Sequence, residues 1–112
     1  MKITFANRKL EKLAKDYNKC QQTMGPVRTK LYHKRLGDLY NAATLEDVRH
    51  LPGHYHELIN DRKGQWACNL DQPYRLIFEP HENPIPTDND GKYIWSEIRG
   101  VKILEIEDYH GK

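Results

Sequence analysis

Asp108, Tyr109 and His110 set an acid, a phenol and an imidazole side by side directly after an apolar run. Earlier in the chain, His54 and His56 precede the cationic turn Arg62, Lys63, Gly64, and Arg75 lies on the next apolar run. This mixture suits phosphodiester chemistry. Breaking RNA by its own 2′-hydroxyl takes a proton acceptor, a proton donor for the leaving oxygen, and fixed cations for the charge that develops on phosphorus. Imidazole, with an ordinary pKa of about 6.5, exchanges protons readily at neutral pH, so His56 and His110 are the candidate general base and acid, in either order. Arg62 and Arg75 can grip phosphate with forked donors, Lys63 can add a point charge, and His54 joins this phosphate-binding group. Tyr109 can stack on an unpaired base or donate to phosphate, and Asp108 can orient His110. The plainer alternative makes His56 a polar-face strand residue, His110 a frayed terminus, and Arg62 with Lys63 a solvated hairpin tip.

These residues need a scaffold, and the hydrophobic pattern supplies one. Ile3 and Phe5 alternate in a short strand, after which Leu10, Leu13, Ala14 and Tyr17 recur at helical spacing. Gly25-Pro26 stops that helix and starts a second, whose expected buried stripe is Val27, Leu31, Leu36, Leu39 and Tyr40. Thr44 and Asp47 resemble a cap for a short turn that Pro52 and Gly53 end. Strands are expected at 55–59, 65–70 and 74–78, followed by a Pro/Asn/Gly-rich mobile loop over 80–92 and a long strand from about 94 to 106, with Gly100 marking a bulge or break. The fold class that follows is α+β in a single domain over 1–112, with two N-terminal helices packed on a mostly antiparallel sheet of four to five strands. The sheet face opposite the helices is then the working surface. Strand alternation would put His54 and His56 on one face, and would turn Tyr109 away from Asp108 and His110, towards the core.

The 112 residues carry 30% charge with a mean hydropathy of −0.91, yet their ordered apolar pattern argues against disorder. The formal charge is only +2, but residues 1–75 hold 14 Lys/Arg against 8 Asp/Glu, while residues 76–112 hold 4 against 8. The first two thirds are therefore the candidate nucleic-acid surface, including a basic helix face of Lys9, Lys12, Lys15, Lys19, Arg28, Lys30, Lys34 and Arg35. Cys20 and Cys68 lack a CxxC spacing, so reduced thiols in a soluble cytoplasmic protein are expected. His50, His54, His56 and Cys68 lack a compact zinc spacing, and no metal is expected.

Leu51, Pro52, Gly53 ahead of His56 and Leu58, then Arg62, Lys63, Gly64 and Trp66, then Tyr74, Arg75, Leu76, Ile77, Phe78, and finally Asp108, Tyr109, His110 form an ordered set. Over nearly its whole length the chain resembles the HigB-like branch of the RelE/ParE toxins of bacterial toxin–antitoxin systems. The resemblance implies a RelE-like fold and a ribosome-dependent endoribonuclease that cuts mRNA in the A site without metal or cofactor. His56, Asp108, Tyr109 and His110 would be catalytic. It also implies a HigA-like helix-turn-helix antitoxin as partner, through which operator DNA would be reached. Two departures stand out: Glu57, Leu58, Ile59, Asn60 replace a Pro, Leu, Lys, Gly run, so one phosphate-binding lysine is missing, and the loop over 80–91 is longer. The alternatives are a ParE-like gyrase inhibitor that acts by binding, and an RNA-binding or interaction module without activity.

Overall fold

The computed structural model describes residues 1–109. Strand β1 (Lys2–Phe5) gives way to helix α1 (Arg8–Lys15) at Asn7, whose side chain accepts from the Leu10 N–H at 2.9 Å. Asp16 both ends α1 and begins α2 (Tyr17–Asn41): its N–H donates to the Lys12 carbonyl at 2.9 Å, and its carboxylate accepts from the Lys19 N–H at 3.0 Å. The sequence pattern carried the first helix through this break, because apolar spacing does not register a residue that caps in both directions. Inside α2, Gly25 takes a positive φ of 83° just before Pro26, which is the expected interruption.

Beyond the kink the buried stripe is Thr29, Tyr32, Leu36 and Leu39, spaced i, i+3, i+7, i+10. Val27 and Tyr40, expected in the stripe, are 62% and 70% exposed because they lie off that line. Tyr32 is fully buried and its hydroxyl donates to the Leu10 carbonyl at 2.8 Å, fastening the two helices together. Arg28 and Arg35 leave the basic helix face. Arg28 forms a forked pair with Asp71 at 2.9 and 3.2 Å and lies over the Tyr74 ring, and Arg35 is buried. The lysines of that face remain exposed.

A 3₁₀ turn (Leu45–His50) begins at Thr44, whose N–H donates to the Asp47 carboxylate at 3.0 Å. The chain then forms β2 (His56–Glu57), β3 (Trp66–Asn69), β4 (Tyr74–Pro80) and β5 (Gly100–Asp108). The result is an α+β fold with a five-stranded mixed sheet in the order β1-β5-β4-β3-β2, parallel between β1 and β5 and antiparallel elsewhere. The second strand is shorter than its apolar pattern suggested, since His54 and Asn60 take positive φ values of 53° and 59° and curl the chain at both ends. The last strand starts at Gly100 because Trp95–Glu97 forms a 3₁₀ turn that drives Trp95 into the core. Within 80–92, expected to hold no ladder, Thr87 bridges Tyr93 and the Asp88 side chain accepts from the Asp90 and Lys92 N–H groups.

Gly100 pairs regularly with Lys2, so the irregularity expected there lies elsewhere. Opposite Ile77 and Phe78, β5 advances from Ile103 to Glu105, which makes Leu104 the extra residue of a bulge. The bulge resets the alternation. Val101, Ile103 and Ile106 face the helices, whereas Glu105 and Glu107 face the other way. On the helix side, Leu10, Leu36, Leu39, Trp66, Leu76, Phe78 and Ile103 form one apolar core. Cys20 and Cys68 are free and buried within it, and burial pushes the Cys68 thiol up to about 12. Among the described residues no helix is long and apolar enough to cross a membrane.

Candidate functional site

Pairing across the sheet brings the chemistry-bearing residues into rows. His56 lies opposite Ala67, which lies opposite Ile77, which lies opposite Glu105; one step along, Asn69, Arg75 and Glu107 form a second row on the same face. Ala67 and Ile77 are fully buried yet stand outside the helix-facing core, which identifies this as the second side of the sheet. With strands about 4.8 Å apart and about 3.4 Å per residue, the Cα atoms of His56 and Arg75 are separated by roughly 12 Å. Side chains of this length can then flank one phosphodiester.

The loop that delivers His56 is fixed from beneath. Gly53 adopts φ +117°, and a Cβ there would come within 2.7 Å of the Arg35 guanidinium. Arg35 uses the space to donate from Nε to the Asn69 carbonyl at 2.7 Å, and the Asn69 N–H donates to the Gly53 carbonyl at 2.8 Å. Tyr55 points to the helices, where its hydroxyl donates to Asp38 at 3.2 Å and burial raises its phenol well above the ordinary range. His56 consequently points the other way. Its ring stacks on His54 with centroids 4.1 Å apart, and its Nδ1 lies 2.8 Å from the His54 carbonyl oxygen. The two histidines do come together, but through a left-handed turn at His54 rather than through strand alternation.

Arg62 belongs to a 3₁₀ turn (Asn60–Arg62), where a solvated hairpin tip was the plainer expectation. It donates from Nη1 to Gln65 at 2.8 Å and from Nη2 to Glu105 at 3.2 Å, and lies 3.6 Å from Glu107. Since Glu105 is on β5 while the turn joins β2 to β3, the turn must fold across the open face to make that contact. Arg75 donates from Nε to Glu107 at 2.7 Å, and its guanidinium lies 3.9 Å from the centre of the Tyr109 ring. One carboxylate therefore ties both arginines, and it is almost buried. Lys63 does not join them; its ammonium is turned towards the Tyr93 ring, 5.6 Å away.

At the end of β5, Asp108 sits opposite Tyr74, whose ring carries Arg28 from α2, so Asp108 is on the helix side. Tyr109 is turned away from Asp108 as alternation requires, but it is 49% exposed and packed against Arg75, where the core had been expected. The bulge at Leu104 is the cause, because without it the outward positions of β5 would be the even ones. His110 lies outside the described residues.

The structure thus gathers His54, His56, Arg62, Arg75 and Tyr109 on one face, and separates Asp108 and Lys63 from them. Sequence reasoning missed Glu105 and Glu107 as partners of the arginines, although their alternation with Leu104 and Ile106 marks them as residues of one face. Cys68 faces the core while His56 faces out, so these two cannot share a metal, and among the described residues no group of three or more His, Cys, Asp or Glu could hold one. A cleft of about 600 Å³ is at the other end of this face, lined by Thr4, Lys63, Gln65, Glu79, Glu82 and Lys102 among others. It does not include His56 or Arg75. A cleft is not required of a candidate RNA site, because single strands bind open sheet faces by stacking and charge without a closed pocket. No protein-family model matches the chain, and no curated protein matches it.

Proposed function

We propose that this chain is a RelE-like toxin of the HigB type, an endoribonuclease that cuts mRNA in the ribosomal A site. The observation that carries the reading is one imidazole and two guanidiniums, those of His56, Arg62 and Arg75, on a single sheet face, with the half-exposed Tyr109 ring beside them. The order of elements, one strand, then two helices, then four strands that complete a five-stranded mixed sheet, supports the fold assignment. In the reaction, a 2′-hydroxyl of the RNA loses its proton to an imidazole and its oxygen bonds to phosphorus. The 5′-oxygen leaves with a proton from a general acid, for which His110 is the sequence candidate, and a 2′,3′-cyclic phosphate remains. Arg62 and Arg75 stabilise the charge on the phosphoryl oxygens, and Tyr109 stacks on a splayed base. A HigA-like antitoxin is the proposed partner.

The test is to add the purified protein to a translating extract and map mRNA ends. Cuts within translated codons are expected, and His56→Gln should lose about 10²–10⁴-fold of the rate with an unchanged melting temperature. Inhibition of gyrase supercoiling without cuts would select the ParE-like alternative. One observation favours a second reading, a binding module without activity: Glu105 and Glu107 already occupy the arginines that a phosphate would need. A variant and parent that bind RNA equally and cut nothing would establish it.

A further inference from the structure

We infer that His54 is a positioning residue for His56: its main-chain carbonyl, turned inward by a left-handed backbone, fixes the proton of neutral His56 on Nδ1 and so presents the Nε2 lone pair at the open face. The argument begins with the 2.8 Å contact between His56 Nδ1 and the His54 carbonyl oxygen. A carbonyl oxygen can only accept, so the nitrogen facing it must carry the hydrogen. In the neutral ring the other nitrogen, Nε2, is then the acceptor.

The contact exists because His54 has φ 53°, a conformation that costs a non-glycine residue free energy and that His, Asn and Asp tolerate better than most. Such a turn survives only where its surroundings hold it. Here Gly53 on one side is tied to β3 and Arg35, and Tyr55 on the other is buried against Asp38. The ring of His54 completes the arrangement by stacking on His56 at 4.1 Å, which limits rotation of the His56 imidazole. His54 thereby changes role, from a phosphate ligand to the residue that orients a proton acceptor.

The assignment of His56 as base rests on the ribonuclease reading, whereas its tautomer does not. If both hold, the 2′-hydroxyl proton goes to His56 Nε2, the oxygen's electron pair forms the new bond to phosphorus, and the P–O5′ bond breaks, its oxygen taking a proton from the solvent or from a general acid.

Long-range ¹H–¹⁵N spectra of the labelled full chain, recorded where His56 is neutral, read the tautomer directly. The expected result is protonated Nδ1 and bare Nε2. His54→Asn, which tolerates the left-handed backbone, should retain it. His54→Val, which does not, should shift the proton towards Nε2, and mRNA cleavage by His54→Asn should exceed that by His54→Val about tenfold or more through kcat, with KM similar. A wild-type His56 that carries its proton on Nε2 overturns the inference without any variant, as does an unchanged tautomer in a folded His54→Val protein. If the tautomers behave as expected but no version cuts mRNA, the positioning stands and the ribonuclease reading falls.

Discussion

The two sides of the sheet are held by different forces. The side facing α1 and α2 is closed by apolar contact: Phe78 lies 6.4 Å from both Tyr55 and Trp66 between ring centroids, and Leu39, Leu45 and Ile103 are fully buried around them. The open side is covered by charged groups, with Arg62 drawn across it and Glu107 between two guanidiniums. Apolar burial is non-directional and offers no charged group for which a phosphate could compete. An arginine–carboxylate pair can be exchanged for an arginine–phosphate pair of similar geometry. A surface of the second kind can hold itself in place when empty and yield to a ligand, which the first cannot do.

The contrast is broken most severely from the apolar side. Phe78→Ala should cost about 3–5 kcal/mol, read by urea or thermal unfolding, with nothing on the open face able to compensate. A loss below about 1 kcal/mol would mean that the helices are not held mainly by this layer.

Glu107→Gln separates the two sides more sharply, since it should do opposite things to stability and binding. Removing the charge strands Arg75 and weakens Arg62. Breaking a buried pair costs about 3–5 kcal/mol, and the partial exposure of Arg62 brings the expectation down to about 2–4 kcal/mol. The Arg75 guanidinium released in this way should at the same time bind a labelled single-stranded RNA more tightly and steepen the salt dependence by about one phosphate contact in an anisotropy titration. Unchanged RNA affinity would show that these arginines belong to the fold alone.

The smallest effect comes from alkali. Burial raises the Cys68 thiol from 9.0 to about 12 and lifts the Tyr32 and Tyr55 phenols in the same direction. The folded state holds these protons more firmly than the unfolded chain, so their contribution is complete below pH 9 and is lost as pH rises towards 12. Melting temperature should decline across that window, and Cys68→Ala should lessen the slope. A level profile from pH 9 to 12 would place these groups in contact with solvent.

Arg62 and Arg75 show how far the linear text can be read. Their candidacy as cations of a site was visible from type and neighbours, and so was the sheet on whose open face they lie, because apolar periods of two and 3.6 reach only a few residues and survive folding. The Gly25-Pro26 interruption and the cap at Thr44 were legible for the same reason. The basic first two thirds of the chain, by contrast, suggested a bare cationic surface, and the fold cancels much of it: Arg62 meets Glu105 across 43 positions and Arg75 meets Glu107 across 32. Arg35, grouped with the basic helix face of the candidate nucleic-acid surface, is instead a buried support of the loop before His54.

Local pattern supplied the inventory: where most of the helices and strands lie, and which side chains have the chemistry to move protons or hold phosphate. Tertiary structure decided the pairing. A single extra residue at Leu104 turns Glu105, Glu107 and Tyr109 to the open face and leaves Asp108 on the other. Register across a sheet is fixed by bulges and turns acting together over the whole chain, and a shift of one residue moves every later side chain to the opposite side.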